Sequence, residues 1–319
     1  MKETPQVLTE LLRNWDIPPI EAVRPTPEGG GKTWFVETVS GESFVLKASE
    51  LVHAEREYTF RAGLSLTRLP VAPPVCAIDG HWHVPVGSNK VYCLYPKLPG
   101  ATFTDHYTGD YAKRASDLGQ AIGLLHTCLS ELGAVRCNRE LRLVQHIQEW
   151  ALPAIGKART NAGVDSRSVE EIWIDAEQNL ISLEKAAPVQ LIHRDPHPSN
   201  VLFDRGRLTG FIDFELVTHG LRLFDVCYCG SAILVTGFRD VEKARKWFGL
   251  FHALLCGYQE HQALTVWERA CIYEMLVAIQ VIFLAYWLTQ DNVAEAVHIG
   301  ELLAWLKEHK GILESLELG

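Results

Sequence analysis

The sequence of 319 residues predicts an α+β protein with a small antiparallel-sheet lobe followed by a larger, mainly helical lobe. Apolar residues alternate at Thr33–Val39 and Ser43–Ala48 around a Ser-Gly turn, which is typical of a β-hairpin. From Ala112 onward helical patterns dominate, and a short β-rich stretch at Gln190–Phe214 interrupts them. Helical patterns return at Val241 and continue to the end of the chain.

The boundary between the lobes is expected where the composition changes, at Pro96–Gly100. Before it, two more strands are predicted at Val75–His83 and Val91–Tyr95, joined by a loop that contains proline, glycine and asparagine. We therefore predict an N-terminal lobe over residues 1–97 and a C-terminal lobe over residues 98–319.

Charge and composition limit the partners of the chain. The net charge of -9 argues against nucleic acid, which requires a lysine and arginine patch. The most apolar window, Met275–Leu288, is short for a bilayer span and predicts a buried helix, so no membrane partner is expected. The eight cysteines include no CxxC pair and no secretory signal opens the chain, which predicts free, buried thiols and a cytoplasmic location.

The strongest local signal is the segment HRDPHPSN at residues 193–200. It fits the H-R-D-x-x-x-x-N spacing of the catalytic loop of protein kinases. Phosphoryl transfer needs a carboxylate that orients the attacking hydroxyl and accepts its proton, and it needs a metal ligand close by. We assign Asp195 as the catalytic base and Asn200 as a ligand of Mg²⁺. His193 is expected to brace the loop rather than to act as a base.

A second carboxylate follows in the segment GFIDFE at residues 210–215. Asp213 ends an apolar strand and from there can reach the same metal. Because Mg²⁺ prefers one or two protein carboxylates plus phosphate oxygens, Asp195, Asn200 and Asp213 together predict ATP and Mg²⁺ as the cofactors.

The first lobe supplies a candidate for binding the phosphates of ATP. Lys47 lies at the end of a predicted strand, and a lysine there pairs with phosphates when an acidic residue orients it. Two glutamates follow on the next predicted helix. Glu57 is the preferred partner of Lys47, and Glu55 is the alternative.

The glycine run Gly29, Gly30 and Gly31 precedes Lys32-Thr33 and superficially resembles a P-loop. The first glycine of that motif is missing, because threonine stands at position 26, and a strand rather than a helix follows. The run therefore predicts a flexible turn that opens the hairpin, whose backbone N–H groups can approach phosphates.

Together these residues resemble the aminoglycoside phosphotransferase and choline kinase superfamily, which includes homoserine kinase of the second type and methylthioribose kinase. Its signature H-G-D-x-H-x-x-N followed by I-D-[FW]-E/D is similar to HRDPHPSN and IDFE here. His197 and Glu215 point to this family rather than to protein kinases, and Arg194 stands where the family usually has glycine. The resemblance implies a two-lobed, protein-kinase-like fold.

Further positions follow from the same resemblance. The segment LYPKLPG at residues 94–100 is similar to the hinge of the family, which implies that adenine contacts the backbone C=O of Pro96 and the N–H of Leu98. The segment LFDV at residues 223–226 matches a short motif after the metal ligand. The resemblance implies that Asp225 in this motif braces the catalytic loop.

The expected function is the transfer of the γ-phosphate of ATP to a hydroxyl of a small molecule such as an aminoglycoside, homoserine or a choline-like compound. An atypical Ser/Thr protein kinase and a non-catalytic nucleotide-binding protein are the alternatives; the second should have lost one of the residues assigned above, and all are present. The oligomeric state is not predicted. Six aromatic residues of the second lobe are candidates for an acceptor pocket, although core positions are the preferred interpretation: Trp247, Tyr258, Trp267, Tyr273, Tyr286 and Trp287.

Overall fold

The computed structural model describes residues 3–27, 30–133, 137, 140–158 and 165–318. The chain divides into two units. Unit 1 contains Met1–Ala101 and Leu202–Val217, and unit 2 contains Thr102–Val201 and Thr218–Gly319. A hairpin late in the sequence therefore folds with the N-terminal strands, and the segment that carries Asp213 belongs to unit 1.

Unit 1 is built on a five-stranded antiparallel sheet with the strand order β1-β2-β3-β5-β4. Its buried side chains form a core between the sheet and α1, which begins at Pro5 behind an N-cap threonine. The elements of unit 1 are α1 (Pro5–Leu12), β1 (Ile20–Pro25), β2 (Thr33–Thr38), β3 (Ser43–Glu50), α2 (Leu51–Leu64), β4 (Val84–Val86) and β5 (Lys90–Pro96), with the late hairpin β7 (Val201–Asp204) and β8 (Arg207–Phe211).

The predicted hairpin and the strand at Val91–Tyr95 are present as β2, β3 and β5. The strand predicted at Val75–His83 is wrong, because only Val75 forms a bridge, with Leu94, and the paired strand β4 follows later. A turn closed by the Ala77 N–H and the His81 C=O, with Gly80 at a φ of 85°, interrupts the extended chain there.

Unit 2 is mainly helical. Helices α3 and α8 pack very closely, because a Cβ atom at Gly119 would lie 2.0 Å from the backbone oxygen of Leu254, and one at Gly257 would lie 2.1 Å from that of Ser116. The elements of unit 2 are α3 (Tyr111–Glu131), α4 (Leu143–His146), a π-helical turn (Ile147–Ala151), α5 (Leu152–Lys157), α6 (Ser166–Ala186), β6 (Val189–Ile192), a 3₁₀ turn (Pro198–Asn200), β9 (Thr218–Leu221), α7 (Leu223–Val235), α8 (Val241–Gln259), α9 (Val266–Ala270), α10 (Ile272–Thr289), α11 (Val293–Glu308) and α12 (Lys310–Glu314).

Within the described residues, one helix, α10, meets the length and composition of a membrane-spanning helix, and 67% of it is buried inside the protein. The apolar window Met275–Leu288 is therefore part of a longer helix than the sequence indicated, and the prediction that this helix is buried is confirmed. All eight cysteines are free as predicted, but only five are buried, since Cys137 and Cys256 are partly exposed and Cys76 is exposed.

Candidate active site

The segment at residues 193–200 forms the loop between β6 and β7 in the chain. Both carboxylate oxygens of Asp195 are held by hydrogen bonds. The Tyr228 hydroxyl donates to Oδ1 at 2.6 Å, and the Nδ2 of Asn200 donates to Oδ2 at 3.1 Å and to the Asp195 C=O at 2.8 Å. Asn200 therefore uses its donor end inside the loop, and its Oδ1 accepts no hydrogen bond from the described residues. An amide oxygen of this kind is a ligand that Mg²⁺ and Ca²⁺ accept.

Tyr228 is a site residue that the sequence analysis missed. Burial, and then the negative charge of Asp195, raise the pKa of Tyr228 far above its ordinary value. The phenol therefore keeps its proton and is the donor in the contact with Asp195. A tyrosine on an apolar helix gives no sequence signal of such a role, because only the folded chain brings it to the loop.

Two histidines organise the loop around Asp195. His193 is fully buried, and its Nδ1 accepts a hydrogen bond from the Asp195 N–H at 3.3 Å. The Nδ1 of His197 accepts from the Ser199 N–H at 3.2 Å and lies 2.9 Å from its hydroxyl, so His197 caps the 3₁₀ turn that leads to Asn200.

Asp225, in the first turn of α7, is fully buried and holds the backbone of the loop. Its carboxylate accepts hydrogen bonds from the N–H of His193 at 2.7 Å and from the N–H of Arg194 at 2.9 Å. The buried ring of His126 lies 2.9 Å from the same carboxylate through Nε2, and its Nδ1 lies 2.9 Å from the Tyr258 hydroxyl. Since a carboxylate only accepts, Nε2 carries a proton, and in the neutral ring Nδ1 accepts from the tyrosine.

Arg194 adopts the left-handed backbone conformation, with a φ of 69°. Glycine enters this region without a steric penalty, whereas a residue with a Cβ atom is disfavoured there. Glycine, which the family resembled by this sequence usually has at this position, would adopt the same conformation without that cost. The two hydrogen bonds from residues 193 and 194 to Asp225 offset the local cost in this chain.

In unit 1, the ammonium group of Lys47 lies among three carboxylates. Its Nζ is 2.8 Å from Glu57, 3.0 Å from Asp213 and 2.7 Å from Glu215. Burial by itself lowers the pKa of Lys47, but the negative charges of Glu57, Asp213 and Glu215 outweigh it and raise the pKa well above the ordinary value. Lys47 is therefore a permanent cation. Glu55, the alternative partner, is exposed on α2.

Glu57 is fixed from a second side. Its Oε1 accepts a hydrogen bond from the Nε of Arg61 at 2.9 Å, one turn further along α2, and both side chains are buried. The guanidinium of Arg61 in turn lies over the ring of Tyr95, 4.3 Å from its centre. These contacts hold Glu57 in one place, so that it can orient Lys47.

The carboxylates of Glu57, Asp213 and Glu215 are close enough to hold a metal ion, with ligand atoms within 4.8 Å of one another. Two cations form salt bridges with these three carboxylates, the ammonium group of Lys47 and the guanidinium of Arg61, so one negative charge remains in excess. The Asp213 side chain is 42% exposed and its backbone has a φ of 66°, which aspartate tolerates better than most residues. The excess of negative charge and the oxygen ligands fit a hard divalent cation.

The backbone groups of Pro96 and Leu98, which are expected to contact adenine, also belong to unit 1. The N–H of Lys97 bonds to the C=O of Ser43, so the next pair, Phe44 and Pro96, is a non-hydrogen-bonded pair, and the Pro96 C=O points away from β3. The Leu98 N–H has no hydrogen-bond partner among the described residues. Both backbone groups are thus available to a ligand.

The glycine turn is described only in part. Gly29 lies outside the described residues, and Gly30 and Gly31 have φ values of 54° and 76° with open space around them.

The aromatic residues considered for an acceptor pocket differ in burial. Trp247, Tyr258 and Tyr273 are core residues, whereas Trp267 and Tyr286 are 56% and 43% exposed.

Comparisons with known proteins identify the family and the fold of the chain. The sequence model of the family described as "Phosphotransferase enzyme family" matches residues 23–264. A homoserine kinase of Neisseria meningitidis serogroup B is 25% identical over 74% of this chain and 72% of its own length. A homoserine kinase of Gluconacetobacter diazotrophicus is 25% identical over 83% of this chain and 80% of its own.

Solved structures share the fold. A microcompartment-associated aminopropanol kinase superposes with a TM-score of 0.72 at 16% identity and covers 98% of this chain and 99% of its own. The amicoumacin kinase hAmiN, in complex with AMP-PNP and Ca²⁺, gives a TM-score of 0.69 at 16% identity, with 93% of this chain and 92% of its own covered. The predicted kinase-like fold is therefore confirmed.

Proposed function

Because the chain belongs to the phosphotransferase enzyme family, we propose that it transfers the γ-phosphate of ATP to a hydroxyl of a small molecule. The observation that carries this proposal is the Asp195 carboxylate, which is held at both oxygens and lies in a loop with the required spacing to Asn200. A carboxylate fixed in this way is suited to orient a hydroxyl and to accept its proton.

In the proposed reaction, the oxygen of the acceptor hydroxyl bonds to the γ-phosphorus, and an Asp195 oxygen accepts the proton that this hydroxyl loses. The bond from the γ-phosphorus to the bridging oxygen breaks, and ADP leaves with the electron pair. Asp225, His193 and His197 keep the loop in place, while Asn200 holds the second carboxylate oxygen. Catalysis then consists mostly of positioning and charge stabilisation.

The nucleotide-binding groups proposed are those of unit 1. Lys47, oriented by Glu57, binds the phosphates, the Pro96 C=O and the Leu98 N–H bind adenine, and the glycine turn lies near the phosphates. Asp213 and Asn200 are the proposed ligands of a divalent metal, for which we propose Mg²⁺. When bound, the metal neutralises charge on the phosphate oxygens.

Homoserine is the first acceptor to test, because the two relatives that align over most of this chain are homoserine kinases. The structural neighbours are kinases of chemically different molecules. Aminopropanol and aminoglycoside-type antibiotics are therefore the next acceptors to test. Choline-like compounds complete the set.

The direct test couples ADP release to each of these acceptors in the presence of Mg²⁺ and ATP. We expect one class to raise ADP release well above the rate with water alone, and mass spectrometry should find the phosphorylated acceptor. Failure of every hydroxyl acceptor, at an ATP concentration that the protein demonstrably binds, would contradict the proposal.

A metal titration tests Asp213. Asp213→Asn should raise the metal concentration for half-maximal activity by at least about tenfold. Loss of a residue that only hydrogen-bonds to a metal ligand typically lowers metal affinity by this factor, and loss of a direct ligand should lower it at least as much. Asp204→Asn is the matched control, since it makes the same change at an exposed carboxylate of unit 1 outside the cluster. Equal metal dependence of both variants would exclude Asp213 as a ligand.

A further inference from the structure

One face of α7 carries two side chains that both contact the catalytic loop. Asp225 accepts hydrogen bonds from the backbone N–H groups of His193 and Arg194. Tyr228, three residues further along the helix, donates to Oδ1 of Asp195 at 2.6 Å. Residues at i and i+3 of an α-helix lie on the same face. The helix therefore holds the loop backbone with one residue and the reacting carboxylate with the other.

The ring of Tyr228 is held by two other rings. Phe224, on the preceding turn of α7, lies 6.0 Å away between ring centres at an interplanar angle of 24°. Phe283, on α10, lies 5.5 Å away at 40°. Tyr228 is 9% exposed, so its ring has little freedom to move. The hydroxyl is thus presented to Asp195 from a fixed position.

Two donors on different elements define the plane of the Asp195 carboxylate. Asn200 bonds to Oδ2 at 3.1 Å and Tyr228 bonds to Oδ1 at 2.6 Å. A carboxylate oxygen offers two acceptor sites, so an acceptor hydroxyl can bond to Asp195 while Tyr228 stays in place. Without the Tyr228 hydroxyl, Oδ1 would lose this hydrogen bond, and rotation of the carboxylate about χ2, a soft torsion, would be less restricted.

We propose that Tyr228 is a positioning residue of the phosphoryl transfer, whose hydroxyl fixes the Asp195 carboxylate in the plane that directs it toward the acceptor hydroxyl. This inference rests on the proposed function. It predicts that Tyr228 affects the fate of the γ-phosphate rather than the binding of ATP, because its contacts lie within unit 2 and the proposed phosphate-binding lysine lies in unit 1.

The test is the variant Tyr228→Phe, which removes only the hydroxyl. We expect kcat for transfer to fall by about tenfold or more, since hydrogen bonds to charged groups are the stronger class. The KM for ATP should stay unchanged. The share of ATP that is hydrolysed by water instead of transferred should rise, because a small, mobile water molecule can follow a turning carboxylate and a bound acceptor cannot.

Tyr273→Phe is the matched control. Tyr273 is buried in the same unit, and its hydroxyl has no hydrogen-bond partner among the described residues, so the variant loses the same atom without a contact to Asp195. Phe283→Leu is a second variant, which loosens the Tyr228 ring and should change kcat and the hydrolysed share in the same direction by a smaller factor.

Three outcomes would overturn the proposal. The first is a Tyr228→Phe enzyme whose kcat and hydrolysed share equal those of Tyr273→Phe. The second is a fall in kcat that merely follows a lower melting temperature, with an unchanged hydrolysed share. The third is a wild-type protein that transfers no phosphate to any acceptor, which refutes the proposed function and the role of Tyr228 with it.

Discussion

Asp195→Asn is expected to lower kcat by about 10²- to 10⁴-fold, the range that a positioned general base contributes. The amide keeps the size of the carboxylate and can still accept a hydrogen bond from Tyr228, but it cannot take the proton of the acceptor hydroxyl. ATP affinity should be nearly unchanged, because the proposed phosphate and metal groups of unit 1, Lys47 and Asp213, are not altered and Asn200 keeps its hydrogen bond to the C=O of residue 195. Steady-state transfer assays and a nucleotide-binding titration measure the two quantities separately.

Asp204→Asn serves again as the control, since it removes a carboxylate charge from an exposed position that none of the proposed steps uses. A variant at 195 that loses ATP affinity while its turnover stays at the wild-type rate would contradict the assignment of Asp195 as the base. Full activity of Asp195→Asn would contradict the proposed mechanism altogether.

Asp225→Asn is expected to lower the free energy of unfolding by about 3 kcal/mol, because it breaks a buried network of charged hydrogen bonds. The carboxylate accepts from two backbone N–H groups and from the His126 ring in a fully buried position. An amide has one acceptor oxygen, and its NH₂ group would face a donor. The same change should lower kcat at a temperature where the variant is folded, because the backbone beside Asp195 loses its anchor.

Urea denaturation gives the stability, and transfer assays give the rate. The control is Asp240→Asn, an exposed N-cap of α8 whose carboxylate accepts from the N–H groups of Glu242 and Lys243. Asparagine caps a helix about as well as aspartate, so this variant should change little. If the two variants are equally stable and equally active, Asp225 does not brace the loop.

Many residues of the candidate site could be predicted from the sequence, because they lie close to one another along the chain. The interval from Asp195 to Asn200 is a property of one loop, and in the structure these two side chains are hydrogen-bonded. The hairpin of β2 and β3 follows from alternation around a turn, and the pair of Lys47 with Glu57 follows from a strand and the helix after it. Each of these features spans few residues.

Other features were not predicted, one because a local turn was overlooked and the rest because they join distant parts of the sequence. Val75–His83 was expected to be a strand, but the local turn at Gly80 prevailed over its apolar residues. The contact of Glu215 with Lys47 joins residues far apart in the chain, and no pattern in the sequence predicts it. The sequence pattern of aromatic residues on helices also does not distinguish a core residue such as Tyr258 from Tyr228, which contacts the loop.

The reaction class could be predicted from the chain alone, because the base and metal ligands proposed for phosphoryl transfer stand at the spacing of one loop and one strand end. The contacts that hold Asp195, the proposed base, are visible only in the folded chain. Asp195 takes one hydrogen bond from its own loop and another from Tyr228, 33 residues further along the chain. Burial and packing orient α7 against the loop, and such contacts depend on how helices assemble rather than on the spacing of residues within any one helix.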